Sequence, residues 1–287
     1  MVRELAGQGF PVAVTCRVLR VSTSGYYDWR DRGPSARDLA DAHLINTLRE
    51  VHTDSRQTYG VRRCHAELRL GQLRLCVAHK RIARLMRISG LAGAHRRRWR
   101  HSQPSTALWE DRVQRRFAAD RPNKLWFTDI TQHRTGEGWV YCAAVLDVYS
   151  RRIVGWSIAD HLRTELVVDA LQMARWRRSN PTGTVVHSDR GPQYTSWLFG
   201  HRLREAGLLG SMGKVACAYD NSVIESFFGS LQIELLDRRQ WSGRAELANA
   251  IFEWIEAWYN PTRRHSALDY LSPIDYENRD TTAETAA

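Results

Sequence analysis

A change of pattern near residue 123 constrains the fold most. Before it, apolar residues recur at helical spacing; after it, aromatic and β-branched residues form short runs that are typical of strands. The predicted strands are 125–131, 139–148, 152–158 and 184–187, and the helices that follow or separate them are 164–175, 197–206 and 247–259. This order predicts a mixed α/β sheet domain, behind an all-α region.

Charge divides the chain at nearly the same place. The 287 residues include 42 Lys and Arg against 31 Asp and Glu, a net charge of +11. Residues 1–119 hold 23 basic and 10 acidic side chains, whereas residues 120–287 hold 19 and 21. A basic helical front joined to a nearly neutral sheet domain indicates a module that binds a polyanion, in front of a second module with another task.

Several protein classes conflict with the composition. A hydrophobic content of 43% exceeds that of disordered chains. The longest wholly apolar run, 140–146, is far shorter than the roughly 18 residues of a membrane span. The five cysteines are scattered and form no C-x-x-C pair, which disfavours a disulfide framework or a zinc site. We therefore expect a soluble cytoplasmic protein.

The basic front contains candidate DNA-binding helices. Residues 12–29 have the outline helix, short turn, helix, which fits either a DNA-reading motif or an ordinary helical hairpin. In a second unit, Ile82, Leu85 and Met86 are predicted to face a core. Two interpretations of its outward basic residues remain open: they contact the phosphates of a nucleic acid, or they form a solvated face. The candidates for phosphate contact are Arg62, Arg63, Lys80, Arg81 and Arg84.

The densest positive run, 95–101, precedes Pro104 and marks a predicted domain boundary. Arg96, Arg97 and Arg98 suit contact with a nucleic-acid backbone, although a solvated linker has the same composition. The predicted organisation is a DNA-binding region over 1–105, a linker over 106–120, a catalytic domain over 121–275 and a disordered tail over 276–287.

Three carboxylates stand where a sheet brings side chains together. Asp129 lies inside an apolar strand, where a charge is costly unless a cation compensates it. Asp189 follows a short strand and opens a loop at the carboxyl edge of the sheet, where α/β sheets bind ligands. Glu225 lies near a predicted helix start. Ser222 and Glu225 also fit a capping box, and helix propensity does not separate the two roles.

Spacing and motifs connect these carboxylates. Asp129 and Asp189 are 60 positions apart, and 36 positions separate Asp189 from Glu225. The sequence blocks around them are LWFTDIT at 125–131, HSDRGPQY at 187–194, YDNSVIESFF at 219–228 and YNPTRRHSAL at 259–268. With these ordered blocks the chain resembles the DDE transposases and retroviral integrases, specifically the OrfB-type transposases of bacterial two-frame insertion sequences. The resemblance extends upstream to SGYYDW at 24–29 and YGVRR at 59–63.

The resemblance implies a ribonuclease H-like fold and metal-dependent chemistry. Asp129, Asp189 and Glu225 are then the catalytic metal ligands, and they hold two Mg²⁺ ions, for which Mn²⁺ substitutes. The expected activity is nicking at the terminal inverted repeats of an insertion sequence, followed by strand transfer. The implied partners are double-stranded DNA, further copies of the chain and the product of the upstream frame, and the implied location is the bacterial nucleoid.

One position departs from the family pattern. The family usually has Lys or Arg seven positions after its glutamate, whereas residue 232 here is Gln, whose amide we expect to bond DNA. Arg263 and Arg264 form a candidate second phosphate clamp, with packing against the catalytic domain as the alternative. Two other functions remain as alternatives to the transposase: a structure-selective nuclease of the same fold, and a catalytically inactive DNA-binding relic.

Overall fold

The computed structural model describes residues 1–94, 109–113, 118–212 and 222–285, with side chains as far as Arg279. Helices alone make up the front. They are α1 (Val2–Gly7), α2 (Val12–Val18), α3 (Thr23–Asp31), α4 (Ala36–Asp54), α5 (Val61–Leu70) and α6 (His79–Ile88). Arg96, Arg97, Arg98 and most of the predicted linker lie outside the described residues.

Local sequence signals set the helices of the second unit. The Ser35 side chain caps α4 by accepting from the Asp38 amide, while the Asp38 carboxylate accepts from the Ser35 amide, a reciprocal capping box. On α6, Ile82, Leu85 and Met86 are buried, as their spacing predicted. These three side chains turn one face of α6 toward the core, which leaves its basic residues on the outside.

Behind these helices lies a five-stranded mixed sheet with the order β3-β2-β1-β4-β5. Its strands are β1 (Leu125–Thr135), β2 (Gly138–Asp147), β3 (Ile153–Ala159), β4 (Val185–Ser188) and β5 (Leu209–Met212). β1, β2 and β3 pair antiparallel, and β4 is parallel to both β1 and β5. The predicted mixed sheet is confirmed, with β5 as a strand that periodicity did not reveal.

Helices cover both faces of the sheet. They are α7 (Thr164–Arg177), α8 (Trp197–Glu205), α9 (Ser222–Glu234) and α10 (Arg244–Glu253), with α11 (Pro273–Thr285) after them. Along β1, Trp126 joins the core beneath α7 and α8, whereas Leu125 and Phe127 join the core beneath α9 and α10. This alternation follows the two-residue period of a strand and fixes which side chains face α9.

Close packing holds α7 against the sheet. A Cβ atom on Gly155 of β3 would stand 2.1 Å from the carbonyl oxygen of Ala170, so only glycine admits the helix at this distance. Because α7 thereby seals one face of β3 and β2, the sheet edge near β1 and β4 is left for the site.

The helical unit α4–α6 shares a continuous core with the sheet domain. Leu48 of α4 and Leu85 of α6 are buried in the same cluster as Phe127. The Tyr59 and Trp258 rings lie 5.7 Å apart, and the Tyr59 hydroxyl accepts a 2.8 Å hydrogen bond from the Arg264 amide. The basic front therefore packs on the sheet domain through side chains from both regions.

The predicted disorder from residue 276 is wrong for the described part of that segment. Residues Pro273–Thr285 form α11, and Glu277 on this helix accepts hydrogen bonds from Ser150, Arg152 and Arg178. These partners lie on elements distant in sequence, so local composition gave no sign of them. Over the ranges that the structure describes, no helix combines the length and apolar character needed to cross a membrane.

Candidate active site

The strand register brings Asp129 and Asp189 to equivalent positions on neighbouring strands. Thr128 of β1 pairs with Ser188 of β4 in the parallel ladder, and each aspartate is the next residue. Both side chains line one cavity at this edge of the sheet. The two carboxylates thus share a cavity at the point where the β1–β4 ladder ends, although β1 itself continues to Thr135.

Backbone amides orient both aspartates. The Ile130 amide donates to Oδ1 of Asp129 at 2.8 Å, and the Gly191 amide donates to Oδ1 of Asp189 at 2.9 Å. A Cβ on Gly191 would stand only 3.0 Å from that same oxygen. The loop after β4 therefore closes around the Asp189 carboxylate and fixes its direction.

Glu225 reaches the site from a different element. It is half-buried on the first turn of α9, and α9 packs on the face of β1 to which Leu125, Phe127 and Asp129 belong. Since α9 begins at Ser222, that serine is inside the helix rather than before it. The two residues before it, Asp220 and Asn221, lie outside the described residues.

Burial and like charge disfavour ionisation at the centre of the site. Burial raises the pKa of Asp129 to about 8, the charges of Asp189 and Glu225 add to the rise, and the Ile130 amide opposes it. Desolvation also raises the pKa of Asp189 against the lowering effect of the Gly191 amide. Within the described chain, neither aspartate has a Lys or Arg ion-pair partner. Among the described residues, no cation therefore stabilises the ionised form of either aspartate.

The donor set fits a hard cation only in part. Carboxylate oxygens are the ligands that Mg²⁺ prefers, and the two aspartates present them to one cavity. Among the residues that the structure describes, however, no three His, Cys, Asp or Glu side chains lie close enough together to form a metal-binding group. Glu225 is near enough to perturb the pKa of Asp129 without completing such a group.

Two further residues shape the cavity, and neither was among the predicted site residues. Gln193 lines it and donates through Nε2 to the Leu162 carbonyl oxygen at 3.1 Å. Tyr194 is buried beside it, with its hydroxyl 3.2 Å from the Thr128 hydroxyl. Both lie in the block at 187–194, so the motif itself was the available signal. They connect the Asp189 loop to β1 and to the segment after β3.

The predicted DNA contacts on α5 and α6 fall into two groups. Arg62 and Lys80 are exposed. Arg81 and Arg84 are half-exposed and both form ion pairs with Asp41 of α4, at 2.7 Å for Arg81. Arg62 and Lys80 have no ion-pair partner in the described part of the chain. They therefore present the most accessible positive charge among these four candidates.

The predicted phosphate clamp at Arg263 is wrong. Arg263 is only 3% exposed and forms a bidentate pair with Glu234 of α9, with Nε to Oε2 at 2.8 Å and Nη2 to Oε1 at 2.6 Å. Arg63 approaches the same carboxylate at 3.4 Å. Arg264 is largely buried and pairs with Glu67 of α5. The alternative, packing within the chain, describes both arginines: the buried Glu234 binds Arg263 and the partly exposed Glu67 binds Arg264.

Gln232 is half-buried on α9, and its amide nitrogen donates to Oδ1 of Asp237. This contact occupies the group for which a DNA contact was predicted. Two other titratable residues of the sheet, Asp147 and His187, have structural partners. Asp147 accepts from the amides of Asn123 and Tyr149, and His187 bonds Ser211.

Models of known protein families match three parts of the chain. Residues 119–216 and 225–280 match models of the integrase core domain, and residues 38–99 match an HTH-like domain. The HTH-like match spans α4–α6 and leaves α2 and α3 outside it. These matches confirm an integrase-type core and a helix-turn-helix-type region in front of it.

Sequence relatives cover nearly the whole chain. The transposase InsF of insertion sequence IS3A from Escherichia coli (strain K12) is 38% identical over 278 residues, which are 94% of this chain and 95% of that protein. The transposase of insertion sequence element IS629 from Shigella sonnei is 37% identical over 276 residues, 93% of this chain and 92% of that protein. These relatives are therefore similar to this chain over nearly its whole length and not over one domain alone.

Two solved structures are similar at low identity. A chain of the simian T-cell lymphotropic virus intasome, in complex with the PP2A regulatory subunit B56 gamma, is 13% identical with a TM-score of 0.47 over 80% of this chain and 74% of that one. The HTLV-2 integrase catalytic core domain in complex with magnesium is 17% identical with a TM-score of 0.44, over 55% and 98%. The assignment rests on the sequence relatives and domain matches: the chain belongs to the OrfB-type DDE transposases of insertion sequences, which are polynucleotidyl transferases that act in DNA transposition.

Proposed function

We propose that this chain binds the terminal inverted repeats of an insertion sequence, nicks the DNA at these ends and joins the freed ends to a target strand. The observation that carries the proposal is the pair of carboxylates, Asp129 and Asp189, at the end of the β1–β4 ladder. They face one cavity, and no basic side chain of the described chain pairs with them. Such uncompensated charge is costly to fold and calls for a cationic ligand.

Asp129, Asp189 and Glu225 are the residues we assign to the metal. The number of ions we propose is two, Mg²⁺ or Mn²⁺, and when bound they stabilise charge on the attacking and leaving oxygens of an in-line phosphodiester displacement. Ile130 and Gly191 hold the two aspartates in place through their amides. Glu225 lies on the first turn of α9, close enough to Asp129 for its charge to raise the pKa of that carboxyl.

The remaining residues of the cavity position the DNA strand. Gln193 and Tyr194 tie the Asp189 loop to its surroundings, which limits the directions from which a phosphate reaches the carboxylates. No side chain is needed as a covalent nucleophile, because water attacks in the nicking step and the terminal hydroxyl of the cut strand attacks in the joining step. The chain thus supplies charge, orientation and strand alignment.

End recognition is the task we propose for the HTH-like unit α4–α6, with Arg62 and Lys80 on phosphates and Arg96, Arg97 and Arg98 following the backbone. DNA ends come in pairs, so we propose that several copies of the chain act together at the bacterial nucleoid. The product of an upstream reading frame is the further partner that we propose.

A strand-joining assay tests the proposal. A labelled duplex with the terminal repeat of the host element is incubated with the protein and Mg²⁺ or Mn²⁺, and wild type is compared with Asp189→Asn. Asp169→Asn on α7 is the matched control, since it removes an exposed aspartate away from the cavity. We expect joined product from wild type and from the control, and none from Asp189→Asn, with end binding retained by all three.

Other outcomes separate the alternative functions. Cleavage without joining, and with a preference for branched DNA, would replace the transposase by a structure-selective nuclease. Tight binding of ends without turnover, even after the upstream-frame product is added, would mark an inactive DNA-binding protein. Joining by Asp189→Asn at the wild-type rate would remove Asp189 from the site.

A further inference from the structure

We propose that Trp197, on the first turn of α8, stacks on an unpaired base of the DNA strand that enters the catalytic cavity. This inference rests on the proposed function, because it takes DNA to be the substrate of that cavity. It adds a residue that reads an open strand, next to the carboxylates that hold the metal. The argument uses the exposure, support, position and electrostatic surroundings of the Trp197 ring.

The Trp197 side chain is unusually open to solvent. It is 73% exposed, whereas Trp126 and Trp254 in the two cores are completely buried. An exposed aromatic ring does not contribute the hydrophobic free energy that its burial would give. Its apolar face is therefore available to a binding partner. Exposure alone does not identify the partner.

His201 supports the Trp197 ring from one side. The two rings are stacked, with centroids 4.7 Å apart and planes only 14° from parallel. His201 is itself tied by Nε2 to Glu205 at 3.2 Å. Because one face of the indole is covered and held by this stack, the opposite face is a fixed, flat platform. A preset platform lowers the entropy lost when a base stacks on it.

A network of hydrogen bonds connects the platform to the catalytic loop. The Ser196 hydroxyl donates to the Gln193 carbonyl oxygen at 2.9 Å and accepts from the Phe199 amide at 3.2 Å. The rings of Tyr194 and Phe199 meet edge to face at 5.3 Å. Gln193 and Tyr194 line the cavity that contains the two aspartates. Trp197, the residue after Ser196, is therefore held at a set position next to the loop that carries Asp189.

Charge selects nucleic acid as the occupant. Arg204 lies two helical turns after Trp197, on the same side of α8, and is exposed without an ion-pair partner in the described chain. Arg202, by contrast, pairs with Glu205 at 3.0 Å. In such an arrangement the aromatic ring stacks on a base and the unpaired arginine contacts a phosphate, a combination typical of proteins that bind single strands.

Trp176 provides an internal control. It is 77% exposed on α7, and no aromatic ring of the described chain stacks on it. Trp176 thus equals Trp197 in exposure but lacks both the histidine support and the connection to the Asp189 loop. A general effect of removing an exposed tryptophan would appear in both variants, whereas a stacking role concerns Trp197 alone.

The test measures binding without turnover, in buffer with a chelator. Two labelled terminal-repeat duplexes are titrated with the full chain by fluorescence anisotropy. One is fully paired, and the other has a short unpaired strand end that contains a fluorescent adenine analogue. The variants are Trp197→Ala, Trp197→Phe and Trp176→Ala.

For wild type we expect tighter binding of the open end and a change in the analogue's emission when it stacks. Trp197→Ala should bind the open end about tenfold more weakly, the order of one lost base–aromatic stack, and lose the emission change. Its affinity for the paired duplex should stay the same. Trp197→Phe should keep most of both signals, and Trp176→Ala should behave as wild type.

The proposal is overturned if Trp197→Ala keeps the wild-type preference and emission change, or if Trp176→Ala loses them equally. It is also overturned if wild type shows no preference for the open end. A change in the multimer size of Trp197→Ala by light scattering, with base-dependent binding intact, would make this face a protein interface. Strand joining is read in a separate assay with Asp189→Asn, so failure of the proposed function and failure of the stacking proposal are distinguishable.

Discussion

Two clusters of charged side chains in this protein follow opposite designs. At the end of the β1–β4 ladder, Asp129 and Asp189 share a cavity with no basic partner among the described residues. Where α9 meets the C-terminal segment, the Glu234 carboxylate is more deeply buried, yet Arg263 binds it through Nε and Nη2. The first cluster leaves charge for a ligand to neutralise, and the second neutralises it within the chain.

The difference separates function from architecture. A buried charge with a bidentate partner already has its hydrogen bonds and its counter-charge within the chain, so it is not available to bind a substrate. Asp129 is half-buried, and its raised pKa of about 8 shows that its ionised form is destabilised. Binding of a cation there would offset that cost, which is typical of a functional site. The pairing of a charged group is thus a better guide to its role than its burial.

The largest expected effect comes from Asp129→Asn. Strand joining should fall below detection, while the melting temperature stays the same or rises by a few degrees, because the neutral amide removes repulsion from Asp189 and Glu225. Calorimetry with a chelator present, next to the strand-joining assay, measures both. A steep fall in melting temperature would show that Asp129 supports the fold. The two charged clusters would then not differ in the way described above.

Arg263→Met should give the reverse result. It leaves Glu234 buried with only the long contact to Arg63, so we expect a loss of about 3–5 kcal/mol in the free energy of unfolding. Denaturant unfolding measures this loss. The double variant with Glu234→Gln should recover most of it, because no unpaired charge is then buried. A loss below about 1 kcal/mol in the single variant would contradict a structural role.

Glu277→Gln tests the same principle at α11. This carboxylate accepts from Ser150, Arg152 and Arg178, which also hold its pKa below the usual range against the effect of burial. We expect the free energy of unfolding of this variant to be about 1.5–3 kcal/mol lower than that of wild type. Glu253→Gln, which affects an exposed ion pair, is the control and should change stability by less than about 1 kcal/mol. Equal effects in the two variants would argue against a tie through Glu277.

The smallest effect concerns pH. Burial lowers the pKa of His265 well below its usual value, and the charges of Arg263 and Arg63 lower it further. Unfolded chains take up the proton near pH 6.5, while the folded chain does not. The free energy of unfolding should therefore decrease as pH falls below about 6.5, by up to about 1.4 kcal/mol per pH unit from this group.

Replacing His265 by Asn should flatten that part of the pH profile and leave the rest unchanged. Thermal unfolding of both proteins across the acidic range provides the measurement. An unchanged slope in the Asn variant would mean that other groups take up the protons.

The sequence by itself determined the family and most helices and strands, but not β5 or α11. The spacing of Ile82, Leu85 and Met86 predicted the buried face of α6, and each of the three is buried. The position of Asp189 directly after a short strand predicted its place at the sheet edge. Periodicity and turn chemistry are local, so they can be read from a few neighbouring residues.

Only the tertiary structure decided which charged groups are partners. Arg263 and Arg264 have the composition of a phosphate clamp, but Glu234 and Glu67 from distant helices turn them inward. The tail after residue 276 has a disordered composition, and Glu277 docks it as a helix. The physical reason is the same in each case. The energy of a charge depends on what lies within a few ångströms of it, and contacts between residues far apart in the chain leave no local pattern.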